Sequence, residues 1–287
     1  MILGYNTNGL AHHRWHDALD LLAETGYRSV AITVDHDCLD PWGPHFDREL
    51  DQMRDALERL ALRSVIETGA RYLLDPRVKH EPTLVTADPQ GRRRRIDFLQ
   101  RCIDIAAALG SDAVSFWSGA VRDGASPDAA LDRLVDGCRA VIDDAGERNV
   151  RLAFEPEPGM LIATMAEFAE LRERIAAPHL GLTIDIGHLQ CVEDLEAEPI
   201  TAHLRRWHDL LFNVHIEDMR RGVHEHLRFG EGEIDFRPVV ETLLDVGYSG
   251  GVHVELSRHS HVAPDVARES YAFLRSLLDA ASAPGPA

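Results

Sequence analysis

The sequence of 287 residues predicts an α/β protein folded as a single (β/α)8 barrel. Short apolar or β-branched segments recur eight times along the chain. Segments with helical periodicity lie between them, and no linker or second domain interrupts the alternation. A doubly wound open sheet is the alternative, but it usually has a glycine-rich phosphate turn after an early strand. The stretch "NTNGL" lacks GxGxxG, so the sequence favours the closed TIM barrel.

The elements follow this alternation in chain order. The expected strand segments are 2–10, 29–36, 63–72, 112–119, 151–158, 180–188, 210–219 and 250–259. The clearest helix spans 126–147, where apolar residues repeat at helical spacing after the Ser126-Pro127 start signal. The segment 263–282 predicts the last helix. We expect one domain over 1–280 and a disordered tail over 281–287.

Composition excludes several classes of protein. A formal net charge of −18 disfavours nucleic-acid binding. Four scattered cysteines without CxxC spacing disfavour a disulfide framework and a thiolate zinc site. No apolar run reaches membrane-spanning length, and no signal peptide is evident at the start. These features are typical of a cytoplasmic enzyme that acts on a small molecule.

Four titratable residues stand near the ends of the four late strands. They are Glu155, Asp185, His215 and Glu255, spaced by about one strand–helix unit each. Their bulky apolar neighbours have the opposite strand parity in every case, so all four side chains can face the barrel axis. Active sites of such barrels form at the carboxyl ends of the strands. The pattern therefore predicts that the four side chains converge on one point.

Three carboxylates and an imidazole in one small cavity repel each other unless a cation joins them. Oxygen-rich ligands with one nitrogen suit Mn²⁺, Co²⁺, Mg²⁺ or Zn²⁺, and the residues do not choose among these ions. The alternative is that the four residues are unrelated charges at strand ends. Their matching parity and spacing favour a divalent metal site.

Several motifs resemble one known superfamily. The motifs are "FEPEPG", "TIDIGH", "NVHIEDM", "HEHLRFGEGEIDF" and "HVELSR". They resemble the xylose-isomerase-like barrels, which include tagatose 3-epimerase-like sugar epimerases, relatives of inosose and hydroxypyruvate isomerases, and endonuclease IV. The resemblance implies the same four metal ligands. It also implies that Glu155 and Glu255 serve as the acid/base pair, and that His188 contacts substrate or a second metal.

The resemblance also implies a second candidate metal site. Some family members bind a further metal through two residues spaced i, i+2 before the GEG turn, together with the histidine of the sixth strand. The corresponding residues here are His224, His226 and His188, a nitrogen-rich set that favours Zn²⁺. Other members use this region for substrate, so substrate binding is the alternative. Endonuclease IV itself fits poorly, because Trp117 and Ser118 stand where its early-strand zinc ligand is expected.

Further residues are candidates for substrate binding. They are His188, Glu157, Arg258, Trp117 and Trp42. The basic run "GRRRR", which contains Arg92 to Arg95, is either a solvated loop or helical turn, or it captures an anionic group. The segments 34–44 and 67–84 predict loops over the barrel mouth that set specificity.

The function expected from these residues is metal-dependent isomerisation or epimerisation of a sugar, cyclitol or related polyol ketone through an enediolate. The alternative is a lyase or hydrolase that acts on a similar substrate and uses the second, zinc site. An endonuclease IV-like repair enzyme and a non-catalytic barrel that binds a metabolite are further hypotheses. Relatives are often dimers or tetramers, and a homo-oligomer is therefore an option that no single residue decides.

Overall fold

The computed structural model describes residues 1–177 and 179–282. Its centre is a closed barrel of eight parallel strands, as the sequence predicts. The eight barrel strands are β1 (Ile2–Asn6), β2 (Ser29–Thr33), β3 (Arg63–Glu67), β4 (Val114–Phe116), β5 (Leu152–Phe154), β6 (Leu180–Asp185), β7 (Leu211–Ile216) and β10 (Gly251–Val254). Two short strands outside the barrel, β8 (Asp218–Arg220) and β9 (Val223–Leu227), lie between β7 and β10 in the chain. Strand β10 pairs with both β7 and β1, which closes the barrel.

Helices surround the barrel. They are α1 (Trp15–Thr25), α2 (Phe46–Leu60), α3 (Pro89–Leu109), α4 (Pro127–Glu147), α5 (Met165–Ile175), α6 (Ile186–Val192), α7 (Ile200–Trp207), α8 (Phe236–Asp245) and α9 (Ala263–Ser282). The Ser126 hydroxyl caps α4 by accepting from the Ala129 N–H at 3.3 Å, as the Ser-Pro start signal predicts. Helix α9 covers 263–282, so residues 281 and 282 of the predicted disordered tail are helical, and residues 283–287 lie outside the described part of the chain.

The main core lies between the barrel and the helices. Nine apolar residues of β5, β6, β7 and β10 are at most 1% exposed: Leu152, Phe154, Leu180, Leu182, Ile184, Val214, Ile216, Val252 and Val254. Phe154 stacks on Phe168 of α5 with ring centroids 5.8 Å apart, so this side of the strand faces the helices. Residues of the other parity are thereby turned towards the barrel interior.

Each barrel strand is shorter than its expected segment, and two further features differ from the expected alternation. Strand β6 ends at Asp185, not at His188, because the Asp185 carboxylate accepts the His188 N–H at 2.8 Å and caps α6. The chain after β7 also forms an antiparallel hairpin, β8 and β9, outside the barrel. This hairpin places the "HEH" segment over the barrel mouth instead of leaving it in an irregular loop.

The cysteines and the helices agree with what the composition predicts. All four cysteines are buried and free of disulfides: Cys38, Cys102, Cys138 and Cys191. Among the described residues, no helix combines the length and the apolar character needed to span a bilayer.

Candidate metal centre

The four predicted ligands converge at the carboxyl ends of adjacent strands. Asp185 ends β6 and His215 lies in β7, while Glu155 and Glu255 directly follow β5 and β10. One ligand atom from each of the four residues lies within 4.8 Å of the others. The strand register brings the ligands to the same level of the barrel. Asp185 lies opposite His215, and Val254, the residue before Glu255, lies opposite Ile216.

His215 occupies the middle of this cluster. Its Nδ1 atom lies 2.9 Å from Glu255 Oε2 and 3.1 Å from Glu155 Oε1. Its Nε2 atom lies 2.9 Å from Glu67 Oε1 at the end of β3. If Nε2–H donates to Glu67, the Nδ1 lone pair faces the three other candidate ligands. A carboxylate behind a ligating imidazole fixes its tautomer and orientation in this way.

A buried polar network supports the cluster from below. His253 lies 2.8 Å from Asn213 Oδ1 through Nδ1 and 2.9 Å from Ser29 Oγ through Nε2. Glycines flank its ring, because a Cβ at Gly4 or Gly251 would approach it to 2.3 Å. Burial first, then the nearby His215, lowers the pKa of His253 to about 3. A neutral imidazole therefore links β10 to β7 beneath the ligands.

The two glutamates of the cluster have opposite electrostatic environments. Burial raises the pKa of Glu155 well above its usual range. Burial also opposes ionisation of Glu255, but the adjacent His215 outweighs it and lowers the pKa of Glu255 below its usual range. For His215, burial favours the neutral form, yet the carboxylates of Glu67, Glu155 and Glu255 raise its pKa well above 6.5. Opposite shifts in two carboxylates are what an acid/base pair requires.

The donor set fits a divalent cation. Asp185 Oδ2 is buried and has no hydrogen-bond partner among the described residues. The three carboxylates converge on a single imidazole with ligand atoms within 4.8 Å of one another, an arrangement whose repulsion a cation relieves. The ions compatible with this set are Mn²⁺, Co²⁺, Mg²⁺ and Zn²⁺.

A second cluster of histidines adjoins the first. His224 and His226 alternate along β9 and therefore project from the same face, towards His188 on α6. The Nε2 atoms of His188 and His224 are 3.1 Å apart. One nitrogen from each of the three rings lies within 4.8 Å of the others. The structure thus brings together the residues of the predicted second site.

The acidic residues of "NVHIEDM" have different surroundings. Asp218 accepts the N–H groups of Gly230 at 2.8 Å and of Ile234 at 3.1 Å, so it clamps the FGEGE turn onto β8. Glu217 is fully buried beside Asp185, and neither of its oxygens has a hydrogen-bond partner in the described part of the chain. Its Oε1 atom lies 3.6 Å from His226 Nδ1. Glu217 therefore connects the two clusters.

Gly187 makes room for that buried carboxylate. A Cβ at this position would lie 2.2 Å from Glu217 Oε1 and 2.8 Å from the Met219 side chain. We expect Gly187→Ala to lower the free energy of unfolding by about 1–3 kcal/mol and to weaken metal binding. Urea unfolding and metal titration measure the two effects. Gly146→Ala is the control, because its Cβ would meet only an ordinary contact at 3.6 Å; equal effects of the two changes would contradict this interpretation.

Above the clusters lies a cavity of about 310 Å³, a volume typical of small-molecule sites. The predicted substrate-binding residues Glu157, Arg258, Trp117 and His188 line it. Trp42 does not; its ring stacks near Phe98 and lies under the Arg101 guanidinium.

The basic run also lies away from the cavity. Arg92 to Arg95 fall in the first turns of α3, and none of them lines the cavity. Arg95 points inward and is 3% exposed, so the run is not a fully solvated segment.

Sequence reasoning missed several residues of the site. Glu67 has the strand-end position and parity of the predicted ligands, so that pattern could have found it. Asn8, which donates to Glu255 Oε1 at 2.8 Å, lies in a short 3₁₀ turn after β1 and has no such signal. Arg71, Lys79 and His80 reach the cavity from the loop after β3, which the sequence predicts over the barrel mouth without indicating which of its side chains line the cavity.

Comparison with known proteins agrees with this architecture. A family model described as "Xylose isomerase-like TIM barrel" matches residues 19–277. The chain belongs to this family. The expected resemblance to xylose-isomerase-like barrels is thereby confirmed.

Curated proteins similar to this chain include L-ribulose-5-phosphate 3-epimerases. The L-ribulose-5-phosphate 3-epimerase UlaE of Shigella flexneri serotype 5b is 26% identical over 257 residues, which cover 89% of this chain and 86% of that protein. UlaE of Escherichia coli K12 is 25% identical over 258 residues, with the same coverage of 89% and 86%.

Solved structures of low identity show the same fold. A D-tagatose 3-epimerase-like protein superposes with a TM-score of 0.78 at 19% identity, covering 98% of both chains. The Escherichia coli 3-keto-D-glucoside 4-epimerase YcjR gives a TM-score of 0.78 at 18% identity, covering 96% of this chain and 99% of that one. The IOLI protein with a bound zinc atom gives 0.77 at 18% identity, covering 99% and 100%.

Proposed function

We propose that this protein is a metal-dependent epimerase or isomerase that moves a proton next to the carbonyl of a sugar or related polyol ketone. The observation that carries the proposal is the convergence of Glu155, Asp185, His215 and Glu255 on one point below a small cavity. The similarity to L-ribulose-5-phosphate 3-epimerases supports the reaction class. The same four residues would hold the divalent cation.

Two glutamates can perform the proton transfers. Glu155 and Glu255 contact His215 Nδ1 from different strands, so each can face a different side of a substrate carbon. One carboxylate removes the carbon-bound proton and the other returns one to the opposite face. Asn8 fixes the orientation of Glu255 through its Oε1 atom. The bound cation would supply Lewis-acid stabilisation of the developing enediolate.

The cavity walls favour a hydroxylated substrate. The pKa of Glu157 is raised to about 8. Burial is the main cause, and the negative charges of Glu255 and Asp185 add to the increase. A carboxylic acid that is largely protonated at neutral pH can donate to a hydroxyl or carbonyl oxygen. The Trp117 ring offers an apolar surface for the face of a sugar. These walls orient the substrate over the glutamate pair and exclude water from it.

Metal content tests the proposal directly. We expect protein purified without an affinity tag to contain at least one divalent ion per chain by elemental analysis. Glu155→Ala should lose this ion, because it removes one of four ligands. The double variant His224→Ala/His226→Ala should retain it. Absence of metal from the wild-type protein, even after dialysis against Mn²⁺, Co²⁺ or Zn²⁺, would contradict the proposal.

A second candidate function rests on the histidine cluster. If His188, His224 and His226 hold a zinc ion beside the first metal, dinuclear lyase or hydrolase chemistry on a similar substrate becomes available. This alternative predicts two ions per chain, one of which is lost in the double histidine variant. It also predicts products that have lost or gained water. Epimer formation without water exchange at the carbon skeleton would exclude it.

A further inference from the structure

The chain contains a single lysine. Lysine and arginine together number 30, and Lys79 is the one lysine among them. It lines the cavity above the metal centre. Within the described part of the chain, no carboxylate lies within salt-bridge distance of its ammonium group. A compact, strongly hydrated cation that is free of an acidic partner is suited to bind an anionic ligand.

The loop that carries Lys79 is held in place from below. The Arg95 guanidinium donates to the carbonyls of Thr68 at 3.0 Å, His80 at 2.7 Å and Pro82 at 2.7 Å. The His80 N–H donates to the Arg71 carbonyl at 2.6 Å, which joins the two arms of the loop. Lys79 is thus flanked by a fixed residue and stands close to Arg71, although its own side chain is exposed.

Arg71 adds a second donor on the same side of the mouth. Its Nε atom donates to the buried Asp35 carboxylate at 2.7 Å, which fixes the guanidinium. This bond leaves the two terminal nitrogens able to donate into the cavity that Arg71 lines. Arg258 also lines the cavity, but Glu225 pairs with it at 3.0 Å. Both arginines thus have a carboxylate partner, so the positive charge without such a partner among the described residues is that of Lys79, beside the free terminal nitrogens of Arg71.

The pKa shift of a neighbouring group agrees with this placement. Burial first, then the charges of Lys79, Arg95 and Arg71, lowers the pKa of His80 to about 4. The edge of the cavity near Arg71 and Lys79 is therefore positively charged, whereas its base, at Glu155 and Glu255, is acidic.

We propose that Arg71 and Lys79 recognise an anionic group, a phosphate or a carboxylate, at the end of the substrate remote from Glu155 and Glu255. This inference rests on the proposed function, since it names the substrate class of the same site. An anionic group placed next to Glu155 and Glu255 would be repelled by their carboxylates. At the edge of the cavity it can instead accept charge-assisted hydrogen bonds from Arg71 and Lys79. The reacting carbon then lies over the glutamate pair.

The single lysine allows a direct binding test. The metal-loaded protein is acetylated with an amine-reactive reagent, and peptide mapping by mass spectrometry separates Lys79 from the α-amino group. We expect a ketopentose 5-phosphate or a keto-sugar carboxylate, at ten times its Kd, to slow acetylation of Lys79 by about tenfold. A neutral ketopentose at the same concentration should give no protection. Inorganic phosphate serves as the probe for the isolated anion.

Steady-state kinetics of Lys79 variants provide a second test of the anion site. With the anionic substrate, Lys79→Met should raise KM by about 10- to 100-fold and leave kcat almost unchanged, because the rim does not touch the reacting carbon. Lys79→Arg should keep most of the affinity. Arg77→Met is the matched control, since Arg77 is exposed in the same loop but does not line the cavity. The phosphorylated and carboxylated compounds, compared side by side, decide which anion is bound.

The outcomes separate this inference from the proposed reaction. Turnover of a neutral ketose with no preference for either anionic form, and no protection of Lys79, would overturn the anion site and leave the epimerase function standing. Protection of Lys79 by an anionic sugar that the enzyme does not epimerise would support the anion site and contradict the proposed reaction.

Discussion

Glutamine at position 155 should reduce epimerisation by about 10³-fold or more, because the variant lacks a group that transfers a proton at the substrate carbon. The single variants should also differ in a specific way. If Glu155 serves one face of the carbon and Glu255 the other, Glu155→Gln still exchanges the proton of one epimer with solvent, and Glu255→Gln exchanges that of the other. Proton exchange in D₂O, followed by NMR for each epimer separately, measures this.

The control for this experiment is Glu173→Gln, an exposed glutamate on α5. It should retain wild-type exchange and turnover. Metal content is measured on every variant, so that loss of a ligand is distinguished from loss of a base. Retention of epimerisation within tenfold of the wild-type rate in Glu155→Gln would remove Glu155 from the proton transfer. Loss of exchange for both epimers in a metal-loaded variant would contradict the division of labour between the two glutamates.

Arg95→Ala should lower the free energy of unfolding by about 3–5 kcal/mol, since three carbonyls lose their donor and one buried side chain is removed. The guanidinium of Arg95 also lies 5.4 Å from the Phe98 ring centroid and 5.2 Å from that of Trp117. Urea unfolding at fixed metal concentration measures the loss. Arg95→Lys should recover only part of it, because an ammonium group cannot reproduce the planar fork of donors.

Arg93→Ala is the matched control, two positions away in the same basic run and exposed. It should change the free energy of unfolding by no more than about 0.5 kcal/mol. Similar losses for the two arginines would show that the run acts through its charge and not through the Arg95 contacts. Since Arg95 anchors the loop that carries Arg71 and Lys79, its loss should also raise KM for an anionic substrate.

The amino-acid sequence alone was enough to predict the barrel and the candidate ligands of the proposed metal centre. Both depend on periodic signals. Strands and helices alternate along the chain, and the parity of strand residues assigns Glu155, Asp185, His215 and Glu255 to the barrel interior. Parallel strands in a closed barrel end on the same face, so residues with equivalent positions along the chain meet in space.

Tertiary structure decided the roles of residues that lack such a period. The acidic pair after His215 looks uniform in sequence, yet Asp218 clamps a turn and Glu217 is buried between two ligand clusters. Four consecutive arginines look alike, yet only Arg95 of these is buried, in contact with carbonyls from a distant loop. Trp42 packs near Phe98 instead of lining the cavity. These outcomes depend on contacts between segments far apart in the chain, and local sequence patterns do not contain that information.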